Sequence, residues 1–197
     1  MERENSVKYE KEKLRKIIKK KLKELSPVYI KEADRKISDN VLNLKAYKKA
    51  KTVFCFISTE DEISTYNIVE RILKDGKKLI VPKCREGEKG IMDAFEILSL
   101  KDLEPGKYKI MEPVRGTRKA EPREADFAVI PCISCDKTGG RLGHGGGYYD
   151  RYLENTDFPC AVICREKLVW EKVPEDIHDR KMDYVVTENG VTEIKKV

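Results

Sequence analysis

The chain has 197 residues, 40% of them hydrophobic and 39% charged, and a formal net charge of +6. That length suits one domain with a core of its own, and the apolar residues gather in short runs, which excludes a disordered polyelectrolyte. No run approaches the roughly 18–20 residues of a membrane span.

The charge is uneven. Residues 1–51 hold 17 Lys/Arg and 8 Asp/Glu, a net of +9, which leaves −3 for the remainder. A basic first segment on a near-neutral body suggests a polyanionic partner, either nucleic acid or the phosphates of a nucleotide. The charged amino terminus has no apolar core of a signal peptide, so a reducing cytoplasm is expected, with the six cysteines as thiols.

Taken in order, Leu14, Ile17, Ile18, Leu22 and Leu25 recur at steps of three and four and predict a first helix ringed by lysines. Ser26-Pro27 supplies a cap and a first-turn proline for a second, whose buried face is Ile30, Ala33, Ile37, Val41 and Leu44. Residues 52–58 read as a buried strand, 65–75 as a helix stopped by Gly76, and 78–83 as the next strand. Strand, helix, strand in that order implies a right-handed crossover and parallel pairing. A further strand is predicted over 91–97, a turn at Glu104-Pro105-Gly106, and polar loop from Arg115 to Glu124. Strands over 126–131, 160–165 and 183–188 complete the set, with a helix starting near Tyr148. Several strands lack polar alternation, as expected when helices cover both faces of a sheet.

The cysteines give a C-x-x-C at Cys132 and Cys135 and a C-x-x-x-C at Cys160 and Cys164. Both fall in or beside strand-like runs, so buried thiols are expected rather than the turn-borne ligands of structural zinc.

The chemistry points to Asp136–Arg151, DKTGGRLGHGGGYYDR, a loop between a parallel strand and a helix, where α/β proteins bind ligands. It holds six of the chain's 12 glycines, whose backbone can turn several N–H groups onto one anion. The start of the following helix adds its dipole. Arg141 offers a guanidinium suited to phosphate, Tyr148 and Tyr149 offer rings for a planar ligand, and Asp150 offers oxygen to a hard cation. The stretch is neither a P-loop nor the dinucleotide fingerprint, which differ in their residues beyond the glycines.

The run GGRLGHGGGYYDR resembles the motif of 5-formyltetrahydrofolate cyclo-ligases. The likeness extends over nearly the whole chain: Lys11 and Arg15 match K-x-x-x-R; Asp61, Glu62, Ile63 and Thr65 match D-E-I/V-x-T; Lys109–Pro113 approaches G-I-x-E-P; and Pro174, His178, Asp179 and Asp183 match P-x-x-x-H-D-x-x-x-D. The resemblance implies a three-layer α/β fold of the CoA-transferase-like kind, a mostly parallel sheet with helices on both faces, over residues 1–197. It implies ATP and 5-formyltetrahydrofolate (polyglutamylated or not) as substrates, Mg²⁺ as cofactor, a cytoplasmic monomer, and no membrane or specific nucleic-acid partner.

Carried over residue by residue, it implies that Lys11, Arg15, Arg141, Leu142, Gly143, His144, Gly145, Gly146, Gly147, Tyr148 and Tyr149 meet ATP. Ile57, Glu62, His144, Gly145, Gly146, Gly147 and Tyr148 would meet the folate. Asp150 and Asp179 would hold magnesium, with Arg141 and Tyr148 catalytic. His178 is read as structural. The chain departs from the family pattern at Pro131-Cys132-Ile133-Ser134-Cys135-Asp136, where relatives often carry P-G-[LV]-[AG]-F-D, and near Lys167, where a glutamine is common. The rival reading is a nucleic-acid-binding protein using the basic helices, against which stands the lack of an RNA-recognition or zinc-finger pattern. A second rival is a nucleotide- or folate-binding relative without turnover.

Overall fold

In a computed structural model, which describes residues 2–106 and 110–195, the lysine-rich opening is one long helix, α1 (Glu2–Lys23). Leu14 and Ile18 bury themselves against the sheet while the lysines around them stay wet. The Ser26 side chain then accepts a hydrogen bond from Tyr29 N, and with Pro27 in the first turn it opens α2 (Pro27–Asn43). The expected second helix stops one residue early. Leu44 takes an extended conformation (φ −56°, ψ 136°) and separates α2 from the short α3 (Lys45–Lys49).

The strands that follow are β1 (Thr52–Cys55), β2 (Lys78–Cys84), β3 (Met92–Ile97), β4 (Leu103–Pro105), β5 (Met111–Pro113), β6 (Lys119–Ala120), β7 (Phe127–Ile130), β8 (Ser134–Cys135), β9 (Arg141–Leu142), β10 (Cys160–Ile163), β11 (Tyr184–Thr187) and β12 (Gly190–Glu193). Helix α4 (Tyr66–Lys74) joins β1 to β2, and α5 (Tyr148–Leu153) precedes β10. Eight strands form the main sheet in the order β12-β11-β10-β7-β1-β2-β3-β6. The central run β11-β10-β7-β1-β2 is parallel, and β3, β6 and β12 pair antiparallel at the edges. The mostly parallel α/β sheet expected from the sequence is therefore present.

Alternation along β1 sends Val53 and Cys55 to one face and Phe54 to the other. The first face packs against Ile37 and Val41 of α2, Tyr47 of α3, and Ile68 and Ile72 of α4. The second packs against Leu14 and Ile18 of α1 and Leu153 of α5. Each fully buried side chain of this size contributes about 1.5–3 kcal/mol through removal of apolar surface from water, so both helical layers are fixed to the sheet. Five parallel strands then aim their carboxyl ends at one edge of the sandwich, where ligands of α/β folds bind.

Four further expectations change. The turn expected at Glu104-Pro105-Gly106 is in part a strand, since Glu104 and Pro105 lie in β4 opposite Glu112 and Met111 of β5. The strand expected over 52–58 ends at Cys55; Phe56, Ile57 and Ser58 stay buried but turn away from the ladder. The polar 115–124 stretch contains β6, paired to β3. The glycine-rich segment is not all loop, because its first part closes the β8–β9 hairpin, with Cys135 opposite Arg141.

Candidate active site

At that edge lies a cleft of about 1610 Å³, walled by α1, by the turns after β1 and β7, by the end of β2, by the glycine loop and by the 175–180 segment. The turn after β1 is built by Thr65, which is fully buried. Its hydroxyl donates to Phe56 O (2.8 Å) and accepts from Ser58 N (3.1 Å), while its own N–H donates to Ser58 Oγ (3.0 Å). The ends of the 58–65 loop are thereby clamped, and Glu62 is held out at its tip. Glu62 accepts from Thr59 N (2.9 Å) and Thr59 Oγ1 (3.0 Å), and His144 Nε2 lies 3.6 Å from its other oxygen. Burial pushes the Glu62 carboxyl up, but the contacts from His144 and Thr59 prevail and hold it below its ordinary value. It is an anion facing the cleft.

Across the cleft, Arg15 donates through Nε to Gly143 O (2.9 Å), and its guanidinium lies flat against Gly145. A Cβ on Gly145 would come within 3.3 Å of the Arg15 guanidinium carbon, and the residue has φ +95°, so this contact requires glycine. Lys11, one turn earlier on the same helix face, bonds Asp176 (3.0 Å) and Asp179. Asp179 also accepts from Asp176 N (2.8 Å) and so caps its own turn. Beyond the glycines, α5 has only six residues, with Gly147 (φ 67°) before it and no side-chain cap. A helix that short adds little dipole. The positive charge at the cleft comes from side chains such as Arg15 instead.

Of the residues singled out from the sequence, Ile57, Glu62, Lys11, Arg15, Arg141, Gly143, His144, Gly145, Gly146, Gly147, Tyr148, Tyr149, Asp150 and Asp179 all line this one cleft. Leu142 does not. Its side chain is fully buried in the core beneath the hairpin, and its carbonyl accepts from Ile133 N (2.8 Å), so it supports the loop from behind. Two others differ in character from what their residue types suggested. Arg141 is only 7% exposed; its Nη2 donates to Asp150 (2.6 Å) and its Nη1 to Pro131 O (3.5 Å), so it positions that carboxylate more than it presents an open phosphate clamp. Tyr149 packs edge-on to Phe54 with the Arg141 guanidinium 5.7 Å from its ring centre, which leaves Tyr148 as the ring free to meet a planar ligand. Burial raises the Tyr149 phenol well above its ordinary value, and it stays protonated.

Several residues of the site had no role assigned from sequence. Arg151 bonds Gly146 O and Gly90 O (2.8 Å), fastening the end of the glycine loop to the turn before β3. Asp176 shares Lys11 with Asp179. Lys83, 3.6 Å from Glu112, forms the far wall. Position gave a clue to Lys83, since it lies near the carboxyl end of a parallel strand. His178, read as structural, is exposed at the cleft's rim, its N–H bonded to Asp176 (2.9 Å). Lys109 lies outside the described residues, while Ile110, Met111 and Glu112 line the cleft.

A parallel sheet whose carboxyl edge opens into a cleft with cations on one wall and a held carboxylate on the other defines an α/β enzyme for an anionic substrate. The model of the 5-formyltetrahydrofolate cyclo-ligase family matches residues 7–188. The chain belongs to that family and is a ligase, with the ATP dependence and the place in one-carbon metabolism that the family carries. It is 27% identical to a probable 5-formyltetrahydrofolate cyclo-ligase of Schizosaccharomyces pombe over 92% of this chain and 96% of that one. It is 28% identical to the 5-formyltetrahydrofolate cyclo-ligase of Escherichia coli K12 over 90% and 100%. Among solved structures, the 5,10-methenyltetrahydrofolate synthetase of Aquifex aeolicus superposes with a TM-score of 0.81 and 31% identity, covering 95% of this chain and 94% of that one.

Proposed function

We propose that this protein phosphorylates the formyl oxygen of 5-formyltetrahydrofolate with ATP and closes the ring to 5,10-methenyltetrahydrofolate, releasing ADP and phosphate. An amide-like formyl oxygen is a poor leaving group. Transfer of the γ-phosphoryl to that oxygen, with cleavage of the bond to ADP, gives an iminophosphate carbon. N10 attacks this carbon, its proton is lost, and the C–O bond breaks as phosphate departs. Such a sequence asks the enzyme for alignment and charge neutralisation and for no protein nucleophile.

The observation that carries this reading is the convergence of Arg15, Lys11 and the Gly143–Gly147 backbone on the same cleft as Glu62 and Ile57. The cationic wall suits a triphosphate. Glu62, ionised and fixed by Thr59, suits the N–H donors of a pterin, and Ile57 offers an apolar flank. Tyr148 lines the same cleft next to Gly146 and is assigned to the place where the phosphoryl group and formyl oxygen would meet.

The donor set also fits Mg²⁺. Asp150 spends Oδ1 on Arg141 and Asp179 spends Oδ2 on Lys11, and no other hydrogen bond is made by Asp150 Oδ2 or Asp179 Oδ1 among the described residues. Magnesium beside phosphates takes one or two carboxylates and keeps water on its other positions; Asp150 and Asp179 would hold it, and when bound it neutralises phosphate charge. The reading extends to a cytoplasmic monomer acting on free or polyglutamylated folate. Among the described residues no helix is long and apolar enough to cross a membrane.

The test is optical. Purified protein with Mg²⁺, ATP and 5-formyltetrahydrofolate is expected to generate the methenyl chromophore in the near ultraviolet at a rate that depends on ATP. A folded sample that binds ATP and produces no chromophore would overturn the proposal in favour of a binding protein without turnover.

A further inference from the structure

Behind the cleft wall, three cysteines from three separate places in the sequence meet. Cys132 follows β7, Cys135 lies in β8, and Cys164 follows β10; their sulfurs are all within 4.8 Å of one another. Of the two cysteines of the C-x-x-x-C run, Cys164 belongs to the cluster and Cys160, at the other end of β10, does not. The reason is topological: β7 and β10 are parallel neighbours, so residues just past their carboxyl ends come together. Each strand end contributes one sulfur, and the hairpin folded back over them contributes the third.

We propose that Cys132, Cys135 and Cys164 form a binding site for one thiophilic metal ion of the zinc class. A zinc–sulfur bond of about 2.3 Å places thiolates about 3.8–4.0 Å apart in tetrahedral or trigonal arrangement, and the cluster is already gathered to that scale. All-sulfur ligation selects soft and borderline ions over magnesium or calcium. Binding replaces the three thiol protons, which leave to solvent; Arg141 acts on Cys132 and Arg165 on Cys164, although each guanidinium is also paired with a carboxylate, Asp150 and Asp34. The Ile163 carbonyl, 3.2 Å from Cys132 Sγ, puts an oxygen at the edge of the cluster. Cys135 and Cys164 are buried, and Cys132 is the most exposed residue of the three.

The location gives the ion a structural task. Pro131, bonded to Cys132, lines the cleft, and Cys135 sits opposite Arg141 in the β8–β9 hairpin. A bound ion would staple β7 and β10 to the hairpin that holds the glycine loop. The inference does not depend on which reaction the cleft catalyses.

Cobalt(II) is the probe, since its thiolate complexes absorb where the protein does not. Reduced, metal-free protein titrated with Co²⁺ is expected to develop thiolate-to-cobalt charge-transfer absorption that saturates at one equivalent per chain and is bleached by Zn²⁺. Cys132→Ser, at the most accessible ligand, is expected to weaken cobalt affinity at least tenfold, whereas Cys84→Ser, outside the cluster, keeps the band. A second measurement needs no variant. In the wild-type protein Zn²⁺ is expected to protect Cys132 from alkylation, read by peptide mass spectrometry, while the exposed Cys84 reacts with or without metal. Absence of the band in reduced protein, a band that forms in Cys132→Ser with wild-type cobalt affinity, or equal alkylation of Cys132 with and without Zn²⁺ each overturns the assignment.

Discussion

Arg15 and Arg141 carry the same charge and differ in what surrounds them, and that difference decides what each does. Arg15 is anchored by a single bond to Gly143 O and faces the cleft. On the proposed reading its loss removes a charged partner of ATP and little packing, and hydrogen bonds to charged groups are worth about 1.5–3 kcal/mol. Arg15→Ala is therefore expected to lower kcat/KM for ATP about 10–100-fold with an unchanged melting temperature. A proportionate loss of thermal stability would assign it to structure instead. Arg141 is enclosed, and its partner Asp150 is itself only 24% exposed. Arg141→Ala leaves a half-buried carboxylate without its cation, a defect that costs about 3 kcal/mol. Its urea midpoint is expected to fall along with its activity, and a fully stable but inactive variant would restore Arg141 to direct phosphate binding.

The elements that frame the cleft depend on a second buried pair. Arg165, just past β10, makes a two-pronged contact with Asp34 of α2 (2.7 and 2.9 Å) and also donates to Glu62 O (3.0 Å). Asp34 in turn accepts from Ser64 N (3.0 Å), so one carboxylate ties a helix, a strand end and the Glu62 loop together. Asp34→Ala strands a guanidinium that is 3% exposed, a loss of about 3–5 kcal/mol, and it frees the loop that presents Glu62. The expected result is a lower urea midpoint and a KM that rises for 5-formyltetrahydrofolate more than for ATP; equal changes in both would separate the loop from folate binding. This brace could not be read from the sequence, since Asp34 lies 131 positions from Arg165 among many surface charges. The central strands could be read, because Val53–Cys55, Phe127–Ile130 and Cys160–Ile163 are apolar runs that fit only a doubly covered sheet. The β8–β9 hairpin could not: two-residue strands have no periodicity, and the glycines around them signal loop. Gly143–Gly147 was legible from composition as part of a glycine-rich loop beyond a parallel strand. The enclosure of Arg141 and Tyr149 was not, because it depends on Asp150 and on Phe54 across the sheet.

For the molecule as a whole, the segment at +9 is mainly α1 and α2, and α1 lays its Lys11–Arg15 face along the cleft. That placement makes the basic segment a field for an anionic substrate, screened over about 8–10 Å at ordinary ionic strength, and KM for ATP is expected to rise with added salt. A pH response comes from the carboxylates folded into the frame, and Asp136 is the clearest. Its side chain is fully buried at the root of the glycine loop and accepts from Thr138 N (2.8 Å), Thr138 Oγ1 (2.7 Å), Gly140 N (3.1 Å) and Val173 N (2.9 Å). Burial pushes the carboxyl up, yet the bonds from Thr138, Val173 and Gly140 outweigh it and hold it below the ordinary 3.8. A carboxylate depressed in the folded state gives stability that is fully present above its unfolded value and is lost as pH falls through the folded one. In Asp136→Asn an amide NH₂ must face one of these N–H donors, and the charge-assisted bonds disappear, at about 1.5–3 kcal/mol near neutral pH. Urea midpoints of wild type and variant are expected to differ most at pH 7 and 5 and to converge below about pH 3.8, as the wild-type carboxyl takes up its proton. A gap of constant size across that range would mean that shape alone, and not the negative charge, is what the root of the loop requires of this residue.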